Sequence, residues 1–96
     1  MAMEKKTKRY KVLFTEKAKK QLHKLDKQRF IIIMNWIGKN LENCENPRLF
    51  GKALTADRSG QWRYRIGDYR LITRIDDEMI TVFVLEVGHR KNVYQN

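Results

Sequence analysis

The sequence predicts an α+β fold, in which an N-terminal strand and a helical hairpin pack on one face of a mainly antiparallel sheet of about four strands. Three features predict it. Apolar residues recur at helical spacing in the first half, they alternate with polar residues in the second half, and a Gly-Asp dipeptide separates two alternating runs. A chain of 96 residues suffices for one core, so we assign residues 10–96 to a single domain. The basic residues 1–9 are predicted to be a disordered lead-in.

The domain is predicted to begin with a strand and a short helix. Residues 10–14 (YKVLF) have the β-branched and aromatic character of a strand. The hydroxyl of Thr15 can cap a following helix. Ala18, Leu22 and Leu25 then lie on one helical face, and lysines occupy the other faces.

A second helix is predicted after Asp26, which makes the pair a helical hairpin. Its apolar stripe has spacings of three and four residues and consists of Phe30, Ile33, Met34, Ile37 and Leu41. Residues 47–60 contain a proline, two glycines and several polar residues. We therefore expect an irregular connection there.

A β-hairpin centred on Gly67 and Asp68 is the strongest local signal. A two-residue turn pairs Arg65 with Arg70, and cross-strand partners share a face of the sheet. One face is then apolar and points to the helices, with Trp62, Tyr64, Ile66, Tyr69, Leu71, Thr73 and Ile75. The opposite face, called the arginine face below, carries Arg63, Arg65, Arg70 and Arg74.

The final strand is predicted over residues 79–87, which are almost wholly apolar. If the preceding turn has three residues (76–78), then Glu86, Gly88 and Arg90 lie on the arginine face. A two-residue turn reverses this arrangement. We favour three, because the residues then directed to the helices are Met79, Thr81, Phe83, Leu85 and Val87.

The composition favours a polyanionic partner. Twenty-one Lys and Arg against eleven Asp and Glu give a net charge of +10, which attracts nucleic acid, a ribosome or an acidic protein. The single cysteine, Cys44, excludes an internal disulfide and a zinc site built from thiolates, so we expect no metal or cofactor and a reducing, cytoplasmic location. The apolar runs are too short to span a bilayer.

The arginine face suits phosphate binding. Guanidinium groups bind phosphate oxygens in bidentate fashion and keep their charge at physiological pH. Directly opposed like charges in a sheet cost from a few tenths to about 1 kcal/mol, and a bound phosphate would offset that cost for Arg65 and Arg70. The alternative is a solvated basic surface, partly neutralised by Glu86 or Asp68.

The segment after the final strand favours the phosphate-binding interpretation. It adds a histidine that titrates near neutral pH, a further arginine and a phenol: His89, Arg90 and Tyr94. Together, residues 61–72 (QWRYRIGDYRLI) and 87–94 (VGHRKNVY) resemble the RelE branch of the RelE/ParE superfamily of bacterial toxins from type II toxin–antitoxin systems. The order of elements across residues 10–94 is similar as well.

The resemblance implies a toxin that enters the ribosomal A site and cleaves messenger RNA. In that branch a ribose 2′-hydroxyl attacks its own 3′-phosphate, leaving a cyclic phosphate and a free 5′-hydroxyl. Translation and growth stop, and a cognate antitoxin restrains the toxin. Two other hypotheses stay open: a ParE-like inhibitor of DNA gyrase and an RNA-binding module without chemistry.

The resemblance also assigns residues. Arg70 and Arg90 match the phosphate-binding arginines of the branch, and Tyr94 matches its C-terminal tyrosine. His89 or Tyr94 would transfer protons. RNA and phosphate binding is expected of four further side chains: Arg63, Arg65, Arg74 and Lys91.

The chain departs from the pattern of the branch in three ways. Arg63 and Arg65 stand where the best-known enzyme of the branch has lysines, which matters because arginine practically cannot exchange a proton. The segment before Tyr94 is two residues shorter, and no helix follows it.

Overall fold

The structure is a computed structural model that describes residues 8–91. It confirms the α+β class, with two α-helices on a sheet of order β1-β5-β4-β3-β2 in this part of the chain. The elements are β1 (Lys11–Phe14), α1 (Glu16–His23), α2 (Lys27–Asn40), β2 (Lys52–Ala53), a 3₁₀ helix (Ala56–Arg58), β3 (Trp62–Ile66), β4 (Tyr69–Asp76) and β5 (Thr81–His89). β1 is parallel to β5, and the other pairs are antiparallel. Residues 1–7 of the predicted lead-in lie outside the described residues.

Side-chain caps begin both helices. The Thr15 hydroxyl oxygen accepts a hydrogen bond from the Ala18 N–H at 3.1 Å, as predicted. An Asp26 carboxylate oxygen accepts one from the Arg29 N–H at 2.8 Å. Each cap satisfies one of the amide groups that the first turn leaves without a helical partner, so both helix starts are fixed by local chemistry.

The apolar stripe of α2 is only partly buried. The core takes Ile33, Ile37 and Leu41, and Met34 packs at its margin. Phe30 is 37% exposed, so its predicted burial is wrong. It lies in the first turn of α2, before the helix reaches the core, and the adjoining Ile31 and Ile32 are 44% and 47% exposed.

The connection over residues 47–60 contains an additional short strand. β2 pairs Lys52 with Arg63 at the outer edge of β3. Gly51 precedes it with a φ of +81°, and a Cβ there would lie 2.3 Å from the Arg63 carbonyl oxygen. Glycine is therefore required where the connection meets β3. The Trp62 Nε1–H also donates to the Phe50 carbonyl oxygen at 2.7 Å.

The predicted register of the hairpin is confirmed at every pair. Ile66 lies opposite Tyr69, and Arg65 lies opposite Arg70. Gly67 has a φ of +60°, as the first central residue of a type II′ turn requires. The predicted inner face packs in or against the core, and the arginines lie on the other face.

The turn into β5 is longer than predicted. Asp76 pairs with Thr81, so four residues (77–80) form the turn instead of three. Val82 and Val84 consequently point to the helices, and Phe83 lies on the arginine face opposite Arg74. The predicted inward positions of Met79, Thr81, Phe83 and Leu85 are wrong, because Met79 lies in the turn and the alternation is shifted by one residue.

A β-bulge at Leu85 then reverses the alternation. Thr73 pairs with Val84 but Ile72 pairs with Glu86, which leaves Leu85 as the extra residue. Beyond the bulge Val87 is buried, as predicted. Glu86 and Gly88 therefore lie on the arginine face, as predicted. The cause is the longer turn combined with the bulge, and not a three-residue turn.

Thr15 and Gln21 of α1 satisfy backbone groups of β5 where β1 ends. The Thr15 N–H donates to the Val84 carbonyl at 3.0 Å, and the Thr15 hydroxyl donates to the Leu85 carbonyl at 3.1 Å. The Val87 N–H donates to Gln21 Oε1 at 2.6 Å. The outer edge of β5 is thus covered first by β1 and then by α1.

An ionic cluster closes the end of the sheet opposite the Gly67 turn. The Tyr10 hydroxyl donates to Asp77 at 2.7 Å, and the Arg48 guanidinium donates to both oxygens of the same carboxylate at 3.0 and 3.1 Å. The Arg48 guanidinium holds the pKa of Asp77 below its usual range. The hydrogen bond to Asp77, together with burial, raises the pKa of Tyr10. The cluster joins β1, the connection and the β4–β5 turn.

No helix in the described part of the chain is long and apolar enough to cross a membrane.

Candidate nucleic-acid interface

The arginine face is arranged in rows across three strands. The row next to the Gly67 turn contains Arg65, Arg70 and Gly88. Gly88 contributes no side chain to this row and lies directly opposite Arg70. Arg65 is exposed and Arg70 is half-buried, so the row carries two arginine side chains beside a glycine.

Arg90 lies close to the same row. It lies two residues after Gly88, which puts it on the same face at a separation of about 7 Å. Its backbone N–H donates to the Asp68 carbonyl oxygen at 2.8 Å, so the pairing of β5 with the hairpin continues past His89. Arg65, Arg70 and Arg90 therefore surround a position that suits a phosphate group.

The next row combines a cation, an apolar side chain and a carboxylate. Arg63 and Glu86 flank Ile72, which is fully buried. Glu86 receives a 2.6 Å ion pair from Arg58 in the 3₁₀ helix and lies 3.7 Å from Lys17 in α1. Arg58 reaches Glu86 from the β3 side of the sheet, so this ion pair crosses the row above Ile72.

Sequence reasoning missed the role of Arg58. The sequence pattern marks Glu86 only as a carboxylate that partly neutralises the arginine face, and Arg58 falls in a segment without periodicity. Two basic side chains engage the Glu86 carboxylate, whose side chain is 14% exposed. This carboxylate therefore faces Arg58 and Lys17, and it holds the 3₁₀ helix against the sheet.

Arg74 is separate from the other arginines. It lies four residues from Arg70 along β4, a distance of about 13 Å in a strand. Its guanidinium lies 4.7 Å from the centre of the Phe83 ring and 3.4 Å from an Asp76 oxygen. The structure thus does not bring Arg74 together with the row at the Gly67 turn.

His89 lies on the opposite side of the sheet from Arg70. It pairs with Tyr69, and the two rings meet edge-on with centres 5.5 Å apart. Its Nδ1 accepts a hydrogen bond from the Lys91 N–H at 3.2 Å. The sheet backbone separates this ring from Arg70.

Of the remaining predicted site residues, Lys91 is exposed at the end of the described chain. Tyr94 lies outside the described residues. Within residues 8–91, no group of three or more His, Cys, Asp or Glu side chains is arranged to hold a metal ion.

The sequence matches a known family over most of its length. A family model described as the ParE toxin of type II toxin–antitoxin systems, parDE, matches residues 12–94. The chain belongs to this toxin family. The match includes the hairpin, β5 and the segment through Tyr94, so the whole arginine face lies within it.

Similar proteins place the chain in the RelE branch of the RelE/ParE superfamily. Toxin RelG of Mycobacterium tuberculosis is 37% identical over 86 residues, which cover 90% of this chain and 97% of that protein. The crystal structure of the RelBE2 toxin–antitoxin complex from the same organism superposes with a TM-score of 0.78 at 36% identity, covering 93% of this chain and all of the matched chain, 100%.

Escherichia coli RelE has the same fold. The toxin in the intact E. coli RelBE toxin–antitoxin complex superposes with a TM-score of 0.68 at 27% identity, over 83% of this chain and 95% of the matched one. The isolated E. coli RelE toxin gives a TM-score of 0.67 at 26% identity, over 83% of both chains. The predicted resemblance to the RelE branch is confirmed.

Proposed function

We propose that this toxin is a ribosome-dependent endoribonuclease that cleaves messenger RNA and thereby inhibits translation. The observation that carries the proposal is that strand pairing brings Arg65 and Arg70 together with Gly88 at one end of the arginine face, next to Arg90. Cleavage would proceed by attack of a ribose 2′-oxygen on the adjacent 3′-phosphate. The bond from phosphorus to the 5′-oxygen breaks, which leaves a 2′,3′-cyclic phosphate and a 5′-hydroxyl.

Arg70 and Arg90 would stabilise the charge that develops on the phosphate. In-line phosphoryl transfer depends mainly on positioning and charge stabilisation. The strand pairing of Arg70 and the backbone hydrogen bond of Arg90 fix the backbone positions from which the two side chains extend. Donors held in place before the reaction can stabilise the transition state without reorganising.

Arg63, Arg65 and Lys91 would bind the RNA backbone. Arg65 is exposed beside Arg70, and Arg63 occupies the next row. We leave Arg74 out of this group, because Asp76 and Phe83 already engage its guanidinium. Cations at the edge of such a site contribute affinity that weakens as the salt concentration rises.

Tyr94 is the residue to which we assign proton transfer. One proton must leave the 2′-oxygen, and one must reach the departing 5′-oxygen. His89 is unsuited to this task at the arginine face, since its ring lies on the opposite face against Tyr69. We instead assign His89 to holding the chain at Lys91 through its Nδ1.

A cognate antitoxin is the partner we propose. Two of the similar structures, from M. tuberculosis and E. coli, are toxin–antitoxin complexes. The first turns of α2 expose Phe30, Ile31 and Ile32, and such an apolar patch is typical of a protein interaction site. Purification from a strain with the intact operon should yield a complex, and recovery of free active toxin would contradict this assignment.

Primer extension on a translated message, with and without the protein, tests the proposed activity. We expect new 5′ ends within the reading frame and a loss of protein synthesis, both absent with Arg70→Ala. DNA damage with translation intact would instead indicate a gyrase inhibitor. RNA binding without cleavage by the wild-type protein would indicate a module that lacks chemistry.

A further inference from the structure

A groove of about 360 Å³ runs along the outer edge of β3. One wall is aromatic and consists of Trp36, Phe50 and Tyr64, and the rim carries the cations Lys52, Arg63 and Arg65. The volume lies within the range of small-ligand sites, about 300–1,000 Å³. The groove shares Arg63 and Arg65 with the arginine face, so the two surfaces are continuous.

Phe50 presents an aromatic ring to the solvent at this groove. The residue is 43% exposed. Its ring meets the Trp36 ring edge-on, with centres 6.2 Å apart, and Trp36 in turn contacts Tyr64 at 5.5 Å. The hydrogen bond from Trp62 fixes the Phe50 carbonyl. A supported, exposed ring of this kind is a stacking surface for a nucleobase.

The edge of β3 adds hydrogen-bonding groups. β2 pairs with Trp62 and Arg63, and in the described chain this ladder does not continue to Arg65. Residues flanking a two-residue turn form a hydrogen-bonded pair, so the next pair, Arg65 with Arg70, is a non-hydrogen-bonded one. The Arg65 N–H and C=O therefore point away from β4, towards the groove.

We propose that this groove binds one nucleobase of the RNA, stacked on Phe50 with its polar edge towards the Arg65 backbone. The inference rests on the proposed function and extends it to the recognition of substrate sequence. Arg65 and Arg70 are cross-strand neighbours, about 5 Å apart at Cβ. The base would therefore belong to a nucleotide close to the phosphate that Arg70 binds.

Charge favours RNA over a protein in this groove. Three basic residues, Lys52, Arg63 and Arg65, line the groove beside its apolar wall, and phosphates follow every base of an RNA strand. Aromatic stacking combined with a cationic track is the usual arrangement for single-stranded nucleic acid. An antitoxin segment is the competing occupant, and the experiment below separates the two.

Binding of two oligomers by the purified full chain tests the proposal. One is a short 2′-O-methylated RNA, which lacks the attacking hydroxyl, and the other is an abasic oligomer of equal length and charge. Phe50→Leu should weaken binding of the RNA by about 5- to 100-fold, the range measured for loss of one stacked base. Affinity for the abasic oligomer should not change. Phe50→Trp should keep the wild-type preference for the RNA.

Leu49→Ala is the matched control, since Leu49 is 70% exposed and does not line the groove. Equal RNA affinity of Phe50→Leu and wild type would overturn the proposal, as would an equal loss for both oligomers. Weaker antitoxin binding with unchanged RNA affinity would assign the groove to the protein partner. Base-dependent binding without any cleavage of translated messages would instead refute only the proposed function.

Discussion

The backbone N–H of Arg90 donates a hydrogen bond to the carbonyl oxygen of Asp68 at 2.8 Å. The bond joins the end of β5 to the turn between β3 and β4, and its two residues are 22 positions apart in sequence. It places Arg90 beside the row that contains Arg70, although β5 itself ends at His89. The proposed division of tasks among the arginines depends on this arrangement.

Arg70→Ala and Arg90→Ala should each lower the cleavage rate by about 10²- to 10³-fold, the usual loss for one preorganised donor. Binding of the ribosome or RNA should change little, because these contacts strengthen as charge develops. The measurement is single-turnover cleavage on programmed ribosomes, and the exposed Lys39→Ala on α2 is the control. Wild-type rates in both arginine variants would reduce the arginine face to a docking surface.

Arg63→Ala and Arg65→Ala should weaken RNA binding and flatten its salt dependence, by about one unit of slope or less for each lost phosphate contact. Arg74→Ala should behave like Lys39→Ala, because Asp76 and Phe83 already engage Arg74. Affinities measured over a salt series test both statements. A salt slope that falls more for Arg74→Ala than for Arg65→Ala would contradict the exclusion of Arg74.

Tyr94→Phe should lower turnover and change the pH–rate profile, whereas His89→Gln should leave the shape of that profile intact. The reason is that the His89 ring lies against Tyr69 on the side of the sheet away from Arg70. Cleavage rates across pH, at saturating ribosome concentration, separate the two variants. If His89→Gln instead loses one limb of the pH–rate profile, proton transfer must be assigned to the histidine.

Replacement of glycine by alanine should have opposite effects on folding stability at Gly67 and Gly38. Gly67→Ala places a Cβ at a φ of +60°, which costs about 1–2 kcal/mol of folding free energy. Gly38→Ala should stabilise by about 0.5–1 kcal/mol, because Gly38 lies inside α2 with open space around it. Each kcal/mol should move the melting temperature by about 4–8 °C in a domain of this size. A stabilised Gly67→Ala would contradict the type II′ turn.

The Tyr10–Asp77–Arg48 cluster should make stability depend on pH in two windows. The Asp77 pKa is lowered in the folded state, so its contribution is present above the unfolded pKa of about 4 and is lost as the pH falls through the folded pKa. The Tyr10 pKa is raised, so its contribution is present below about pH 10 and is lost as the pH rises through the folded pKa.

Denaturant unfolding across pH tests these signs. The difference in free energy of unfolding between wild type and Asp77→Asn should become smaller in acid. The corresponding difference for Tyr10→Phe should become smaller in alkali. Asp57→Asn, at an exposed position in the 3₁₀ helix, is the control. Differences in free energy of unfolding that stay constant at all pH values would show that the cluster stabilises the fold by packing and not by charge.

Local patterns in the sequence determined the helix starts, the hairpin and the arginine face. A cap, a two-residue turn and an alternation of period two act over a few residues, so Thr15, Gly67 and the pairing of Arg65 with Arg70 follow without knowledge of the rest of the chain. The resemblance to the RelE branch rested on the same stretch, and the comparisons confirm it.

The tertiary structure alone decided what depends on distant segments. The bulge at Leu85 lies where Thr15, the cap of α1, and Gln21 bind the β5 backbone, and it sets which face Glu86 and Gly88 occupy. The groove beside Phe50 likewise forms because the connection passes close to β3 at Gly51. Such features arise from contacts between segments far apart in the chain, which the spacing of residues within one segment does not encode.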